Sequence, residues 1–516
     1  MTTPQTTTVE FGDTSVTIED VCGISTRALQ ASFSESPEYW AKIDAGVAFL
    51  DKILKEDGVI YGVTTGYGDS CTTPVPVELS SELPINLTRF HGCGLGRFFS
   101  REETRAIMAA RLASLARGYS GVSPGLLKLL RDLINLDALP LIPQEGSVGA
   151  SGDLTPLSYL AAAMIGERQG YTEQGTAPFQ AILDRAGLKP ITMRPKEGLA
   201  IMNGTAVMTG IACLALKRAE YLAELTTRIT SMAVVALKGN AFHFDEKLFE
   251  VKPHPGQQKI AAWVRSDLSA KQAPRNSSRL QDRYSLRCAP HVIGVLQDSL
   301  PFLRQFIENE LNSTNDNPII DWQGEHVLHG GHFYGGHIAF AMDSLKNAVA
   351  NLSDLLDRQL ALLVDTRYNN GLPPNLTGAT SDRSMLNHGF KAVQIAASAW
   401  TAEALKMTMP ASVFSRSTEC HNQDKVSMGT IAARDCTRIL ELTEQVAAAS
   451  LLAVTQALTL RITSGELSRD NLTDAVLQTY DAISKDFDFL VEDRPMDDTL
   501  RLIVAKINQR EWSLYE

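Results

Sequence analysis

Apolar residues recur every three or four positions over much of the chain, which is the period of an amphipathic α-helix. One run places its apolar residues on a single seam at Met342, Leu345, Val349, Leu352, Leu356 and Leu363. A second run has the same spacing at Ile439, Leu442, Val446 and Ala449. Long helices with one apolar stripe bury it most simply in a helical bundle. The pattern therefore predicts a mainly α fold with a long-helix core, and helices that pack only within one chain fit it as well as helices that pack between subunits.

Shorter patterns predict further helices. Ser100 and Glu103 have the spacing of a capping box, which marks a helix start. Leu157–Ile165 predicts another helix. The apolar run Ile201–Leu216 is interrupted by Asn203, Gly204 and Thr205 and is too short for a membrane span, so it predicts a core helix.

The strand signals are short and local, such as those at Thr14–Ile18 and Gly58–Val63. A change of character near residue 220 predicts two domains. Residues 1–220 would form a smaller, mixed N-terminal catalytic domain, and residues 221–516 would form the long-helix core domain.

Composition narrows the classes of function. The 516 residues include 48 basic and 59 acidic side chains, for a net charge of −11, which argues against binding to a nucleic-acid backbone. The N-terminal segment has neither the basic nor the apolar region of a signal peptide. Seven scattered cysteines without a CxxC pair are typical of reduced thiols rather than of a disulfide framework or a zinc site. We therefore expect a cytoplasmic protein that does not bind a membrane.

The segment Gly146–Ser158 concentrates small residues around the tripeptide Ala150-Ser151-Gly152. Glycine tolerates strained backbone angles, so the Gly152 amide nitrogen could approach the Ala150 carbonyl carbon. Ring closure with loss of two waters, one from the Ser151 side chain, would give an electrophilic methylidene-imidazolone. Taken alone, the tripeptide is better explained as a glycine-rich turn before a helix. A phosphate loop fits less well because no Lys-Ser/Thr pair follows the glycines.

Five further motifs follow along the chain: Tyr61–Gly68, Glu197–Thr205, Tyr284–Arg287, Asn315–Pro318 and Asn422–Met428. With Ala-Ser-Gly, this ordered set resembles the aromatic amino-acid ammonia-lyases and 2,3-aminomutases, over about residues 55–465. The resemblance implies a 4-methylidene-imidazol-5-one formed from Ala150, Ser151 and Gly152, with no metal and no added cofactor. It also implies a homotetramer with active sites shared between subunits and a small aromatic L-amino acid as substrate.

The resemblance assigns the catalytic roles to four residues. Tyr61 matches the base that removes the β-proton, although a lone tyrosine before glycine is otherwise typical of a buried strand. Asn203 and Tyr284 match residues that flank the ring, and Asn203 would donate a hydrogen bond to the oxygen that becomes anionic. Asp153, directly after the tripeptide, is expected to assist its cyclisation.

Four more residues are expected to hold the substrate. Arg287 offers a bidentate fork for the substrate carboxylate, which Asn317 would join, and Gln281 would support Tyr284. As isolated residues, Arg287 is equally typical of a surface ion pair and Asn317 of a turn. Phe333 resembles the aromatic residue that packs near the ring, but its unusual neighbours His332 and Tyr334 have no assigned role.

Phe90 and His91 occupy the positions that contact the substrate's aromatic ring in this family, and they form a hybrid of the usual pairs. His91 could bond a phenol or an imidazole, whereas a phenyl ring would leave it unpaired at a cost of about 1–3 kcal/mol. Gln423 stands where histidine ammonia-lyases usually have a glutamate, which favours a phenol or phenyl substrate. Glu419 would point at the distal ring if its segment were helical, or be a solvated surface carboxylate.

These patterns predict a cytoplasmic, homotetrameric carbon–nitrogen lyase that converts L-tyrosine to trans-4-coumarate, with phenylalanine and histidine as further possible substrates. A tyrosine or phenylalanine 2,3-aminomutase and a histidine ammonia-lyase are the alternatives. A binding protein that kept the scaffold is a hypothesis from another class, and the intact Tyr61, Ala150-Ser151-Gly152, Asn203, Tyr284 and Arg287 argue against it.

Overall fold

The computed structural model describes residues 7–56, 58–269, 274–276 and 278–515. The protein is mainly α-helical. Its α-helices are α1 Ile18–Ser25, α2 Pro37–Lys55, α3 Leu83–Phe90, α4 Arg101–Ala116, α5 Pro124–Asn135, α6 Leu154–Met164, α7 Phe179–Ala186, α8 Glu197–Met202, α9 Ala206–Ala236, α10 Glu246–Glu250, α11 Pro255–Leu268, α12 Tyr284–Arg287, α13 Ala289–Leu311, α14 Gly336–Val364, α15 Lys391–Lys406, α16 Gly429–Thr463, α17 Asp474–Ser484 and α18 Asp497–Gln509.

The described strands are short and form two-stranded ribbons. Their bounds are β1 Thr8–Phe11, β2 Gln30–Phe33, β3 Leu95–Phe98, β4 Pro143–Glu145, β5 Gln169–Thr172, β6 Gly175–Pro178, β7 Ile319–Asp321 and β8 His326–Leu328. β1 and β2 pair in parallel with Thr8 opposite Gln30. The pairs β3–β4, β5–β6 and β7–β8 are antiparallel. The predicted mainly α fold is confirmed.

The two predicted apolar seams lie on the long helices α14 and α16, and every seam residue is buried. By length and composition α16 could cross a membrane, with a mean hydropathy of 1.5, but 78% of its apolar window is buried inside the fold. That burial is what a core helix requires. The capping box of Ser100 and Glu103 begins α4, as predicted.

Both predicted strands are wrong, and the cause in each case is a side chain that closes a turn or caps a helix. In the segment 14–18, Thr17 and Asp20 form a capping box that begins α1. In the segment 58–63, the Thr64 hydroxyl accepts a hydrogen bond from the Ile60 N–H and donates to the Gly58 carbonyl, which folds the chain into turns. Such local bonds compete with strand pairing.

The chain divides into two compact units. The first runs to Ala215 and includes Arg304–Asp343 and Pro410–Arg434. The second comprises Leu216–Leu303, Ser344–Met409 and the chain from Asp435 onward. The predicted division near residue 220 lies close to the first boundary, but the units are not continuous in sequence because two later segments return to the first one.

Within the first unit, the predicted core helix 201–216 is interrupted at Asn203–Thr205, between α8 and α9. The interruption pairs with the Ala-Ser-Gly segment through an isolated parallel bridge between Gly152 and Gly204. The Gly204 N–H donates to the Ser151 carbonyl at 3.2 Å, and the Asp153 N–H donates to the Gly204 carbonyl at 2.7 Å. The break in the helix therefore holds the tripeptide in place.

Candidate active site

A cavity of about 810 Å³ opens in the first unit, a size suited to a small-molecule ligand. It gathers residues from widely separated parts of the sequence. The predicted site residues that line it are Tyr61, Phe90, His91, Ala150, Ser151, Asn203, Asn317, Phe333, Glu419 and Gln423.

The tripeptide at the cavity wall has an unusual backbone. Ser151 has a φ of 51° and Gly152 a φ of 75°, in the left-handed region that L side chains rarely adopt. A Cβ atom on Gly152 would lie 2.1 Å from the Gly204 carbonyl oxygen. Only glycine therefore fits at this position, and the chain is bent tightly at the tripeptide.

Asp153 is completely buried directly after the tripeptide and is the acceptor of four hydrogen bonds. One carboxylate oxygen accepts from the backbone N–H groups of Val207 at 3.1 Å and Met208 at 3.0 Å. The other accepts from the Ser147 hydroxyl at 3.0 Å and from the Thr430 hydroxyl. Burial raises the pKa of Asp153, and these four bonds oppose the increase. The carboxylate is a fixed anchor for the loop and for the start of α9.

Tyr61 lies on the turn that replaces the predicted strand, with its hydroxyl accepting a hydrogen bond from the Gly68 N–H at 2.7 Å. Its ring meets the edge of Tyr67, with centroids 6.5 Å apart. Burial raises the pKa of Tyr61, the Gly68 bond lowers it, and the charge of Glu419 raises it further. The Gly68 bond thus fixes the phenolic oxygen of a residue that lines the cavity.

Asn203 is fixed by buried polar partners. Its side-chain Nδ2 donates to the Asn317 carbonyl at 2.9 Å and to Asp316 Oδ1 at 3.3 Å. Its Oδ1 is buried, and no group among the described residues forms a hydrogen bond with it. Asp316 in turn forms a fully buried ion pair with Lys196, 2.5 Å between Nζ and Oδ2. Both amide hydrogens of Asn203 are therefore engaged. To donate to an oxyanion, Asn203 has to give up one of these two bonds, and the 3.3 Å bond to Asp316 is the longer one.

Phe90 is the last residue of α3, and His91 follows as its C-terminal cap. Their rings are in contact, with centroids 4.5 Å apart. Phe90 is 58% exposed and His91 is half-buried. Burial lowers the pKa of His91 to about 4, with a second contribution from the positive charge of Arg168. The imidazole is therefore neutral near pH 7 and can both donate and accept one hydrogen bond.

The segment that carries Glu419 and Gln423 is a turn and not a helix, because Glu419, Cys420 and His421 all have left-handed backbone angles. Glu419 therefore does not lie one helical turn from Gln423. Its carboxylate oxygens accept from the Asp69 N–H at 2.8 and 3.0 Å, beside the Tyr61 turn.

Three predicted residues, Tyr284, Arg287 and Gln281, belong to the second unit and do not line this cavity. Arg287 donates to the Asp282 carbonyl at 2.9 Å and to Gln281 Oε1 at 3.2 Å, and its guanidinium lies 4.7 Å from the Tyr284 ring centroid. Gln281 thus contacts Arg287. Tyr284 is 72% exposed, so the described residues cover little of its side chain.

Sequence reasoning missed several residues that build the site. Tyr67, Leu199 and His329 line the cavity. Tyr67 and Leu199 fall inside quoted motifs, where they could have been singled out, and His329 does not. His332 and Tyr334, the unusual neighbours of Phe333, line a separate cavity of about 430 Å³. Within the described ranges, no three His, Cys, Asp or Glu side chains are grouped to hold a metal ion.

The sequence model of aromatic amino acid lyases matches residues 16–484. The chain belongs to this family. A tyrosine ammonia-lyase from Cupriavidus metallidurans is 36% identical to it over 512 residues, which cover 95% of this chain and 94% of the relative. Histidine ammonia-lyase from Bos taurus is 37% identical over 452 residues, 86% of this chain and 68% of the relative.

Among solved structures, tyrosine aminomutase from Streptomyces globisporus superposes with a TM-score of 0.89 at 33% identity, and covers 98% of this chain and 97% of the aminomutase. The family resemblance inferred from the motifs is thus confirmed. Lyases and aminomutases with different substrates all match this aromatic amino acid lyase at similar identity, so the matches alone do not fix its substrate.

Proposed function

We propose that this aromatic amino acid lyase eliminates ammonia from L-tyrosine to give trans-4-coumarate. The observation that carries the proposal is the neutral His91 beside Phe90 in the cavity that also holds Tyr61 and Ser151. The tyrosine ammonia-lyase that matches 95% of the chain supports the same substrate. We further propose that the enzyme is cytoplasmic.

The residues around Ala150-Ser151-Gly152 fit a self-made methylidene-imidazolone. The left-handed Ser151 and the glycine-only position at Gly152 bend the backbone as cyclisation requires. Asp153 fixes the loop through four hydrogen bonds and would assist the closure. When present, the ring supplies an electrophile for the substrate amine that no ordinary side chain provides.

Tyr61 would remove the β-proton at its phenolic oxygen. The hydroxyl faces the cavity and is held by the Gly68 N–H at 2.7 Å, so its position does not depend on the substrate. Its raised pKa keeps it protonated near pH 7 in the isolated chain, and a base of this kind needs its pKa brought toward working pH. Positive charge near the bound substrate, such as that of Arg287, would do this.

Arg287, Gln281 and Tyr284 would hold the substrate carboxylate and flank the ring, and we propose that they serve the site of another subunit in a homotetramer. Two observations support this. The three residues form a contiguous group on the second unit, and Tyr284 is largely exposed on its own chain. A fork that already has a glutamine partner is pre-oriented for a carboxylate.

The distal end of the cavity suits a phenol. Phe90 supplies an apolar face, and a neutral His91 can pair with a hydroxyl. Gln423 offers an amide, with its Oε1 already accepting from the Thr418 hydroxyl at 3.0 Å. A neutral amide provides no counter-charge for a protonated imidazole, which makes histidine a poorer substrate than tyrosine.

A substrate panel tests the proposal. The purified enzyme should consume tyrosine with a higher kcat/KM than phenylalanine or histidine. His91→Leu should cost tyrosine about 1–3 kcal/mol of transition-state binding and leave phenylalanine unharmed. His329→Leu, at another histidine lining the cavity, is the matched control and should leave the ratio unchanged. An unchanged ratio in His91→Leu would refute the assignment of tyrosine.

A tyrosine 2,3-aminomutase is the second candidate, favoured by the close structural match to the Streptomyces globisporus enzyme. Chromatography of the products separates the two, because only an aminomutase accumulates the β-amino acid. Coumarate and ammonia in equal amounts, without β-tyrosine, are the expected result.

A further inference from the structure

Arg168 contacts the backbone of the segment that carries Phe90 and His91. It precedes β5 and has a left-handed φ of 64°. Its Nη2 donates to the Thr88 carbonyl at 2.5 Å, near the C-terminal end of α3. A cation at this end of a helix satisfies an orphan carbonyl and complements the helix dipole.

A second contact connects Arg168 to the His91 backbone. Its Nη1 donates to the Ser158 hydroxyl at 3.0 Å, and that hydroxyl faces the His91 carbonyl at 3.2 Å and the Thr155 carbonyl at 2.7 Å. The chain makes room for this arrangement at Gly92, where a Cβ atom would lie 2.3 Å from Arg168 Nη2. The guanidinium therefore contacts the last turn of α3 directly and the His91 carbonyl through the Ser158 hydroxyl.

The charge of Arg168 is held close to the cavity wall. Its guanidinium stacks 4.1 Å from the Tyr159 ring centroid, and no carboxylate in the described ranges forms an ion pair with it. The neighbouring Glu167 is paired with Arg89 at 2.6 Å. The positive charge of Arg168 thus acts on His91 without a direct counter-ion.

We propose that Arg168 is a positioning residue for substrate selection: its guanidinium fixes the end of α3 and thereby the place and protonation state of His91. The inference rests on the proposed function, in which His91 contacts the substrate ring. A neutral imidazole suits the hydroxyl of tyrosine. A protonated one could still bond the phenolic oxygen, but it would lie unpaired against the ring of phenylalanine.

Titration of His91 is the distinguishing property. Burial lowers its pKa most, and Arg168 is the charged group that adds to this. The titratable groups that line the same cavity are Tyr61, Tyr67, Cys71, His329, Glu419, Asp424 and Lys425. Removing the charge of Arg168 should raise the pKa of His91 toward its ordinary value of about 6.5.

The experiment measures kcat/KM for tyrosine and for phenylalanine, as total substrate consumed, between pH 6 and pH 9 in the intact enzyme. The variants are Arg168→Met, which removes charge and hydrogen bonds, and Arg168→Lys, which keeps the charge but not the fork. Arg89→Gln is the matched control, because it removes a positive charge from an exposed position on α3, the helix that Arg168 contacts.

In the wild type and in Arg89→Gln, the tyrosine-to-phenylalanine ratio should not vary with pH in this range. Both Arg168 variants should lower the ratio at pH 8.5 by about threefold to tenfold, the value of one hydrogen bond. Only Arg168→Met should make the ratio pH-dependent, increasing as the pH falls toward 6, because burial still holds the pKa of His91 below its ordinary value. If Arg168→Met does not fold, Arg168→Gln takes its place with the same expectation.

Two results would overturn the inference. One is a ratio in Arg168→Met that equals the ratio in Arg89→Gln at every pH, and the other is identical behaviour of the Lys and Met variants. His91→Leu separates this failure from failure of the proposed function. If His91→Leu shifts the ratio and Arg168→Met does not, only the inference fails. If His91→Leu leaves the ratio unchanged, His91 does not contact the ring and both fail.

Discussion

Replacing Tyr61 with phenylalanine separates the catalytic role of this residue from its structural role. The substitution removes one oxygen and keeps the ring that meets the edge of Tyr67. The hydroxyl accepts a single hydrogen bond, from the Gly68 N–H at 2.7 Å. Loss of that acceptor should cost about 1–2 kcal/mol of folding stability, because the N–H is left without its partner.

The expected effect on turnover is larger. A positioned general base contributes about 10²–10⁴ in rate, or about 3–5 kcal/mol of barrier. Turnover of tyrosine should fall by that factor while its binding is retained. Tyr39→Phe is the matched control, since its buried hydroxyl donates to the Ala116 carbonyl at 3.1 Å and it does not line the cavity. That variant should lose similar stability and keep the wild-type rate.

The assay combines kcat for ammonia release, substrate dissociation constants and thermal unfolding for the three proteins. A Tyr61→Phe enzyme that turns over within about threefold of wild type would refute the base assignment, since a positioned base is worth far more. So would a rate loss in Tyr39→Phe as large as that in Tyr61→Phe, because the effect would then follow stability.

Three further predictions follow from neighbouring residues. Tyr67→Phe should not lower the melting temperature, because no group in the part of the chain that the structure describes forms a hydrogen bond with the buried Tyr67 hydroxyl. Gly152→Ala should abolish activity and lower the yield of folded protein, since its Cβ would lie 2.1 Å from the Gly204 oxygen. Gly187→Ala is the control: no atom of the described residues lies within 4 Å of the added Cβ, so the variant should lose only about 1–2 kcal/mol of stability from its left-handed backbone. Burial raises the pKa of Tyr61, so kcat/KM should increase with pH in the alkaline range as phenolate forms, and the residual rate of Tyr61→Phe should lack this increase.

Long helices were predictable from the sequence because their apolar stripes must be buried wherever the chain goes. The seams around Leu352 and Leu442 are therefore visible as a repeat of three and four. The two strand predictions failed because Thr17 and Thr64 form local side-chain hydrogen bonds, which outcompete strand pairing in segments of five or six residues.

The candidate site was predictable where its residues fall in recognisable motifs, as with Tyr61 and Asn203. Residues that support the site without lining the cavity were not predictable. Arg168 contacts Thr88 and Lys196 contacts Asp316, and these partners lie 80 and 120 positions away in the sequence. No local pattern encodes such partners. The turn at Glu419 was also hidden, because three consecutive left-handed residues without glycine contradict ordinary propensity.

The intact mass of the purified chain shows whether Ala150, Ser151 and Gly152 form the electrophile on which the proposed chemistry depends. We predict a mass lower than that of the 516-residue sequence by two water molecules, about 36 Da, with the loss confined to the peptide that contains the tripeptide. Ser151→Ala should be folded, inactive and without this loss. An active wild-type enzyme at the full, unmodified mass would contradict the account.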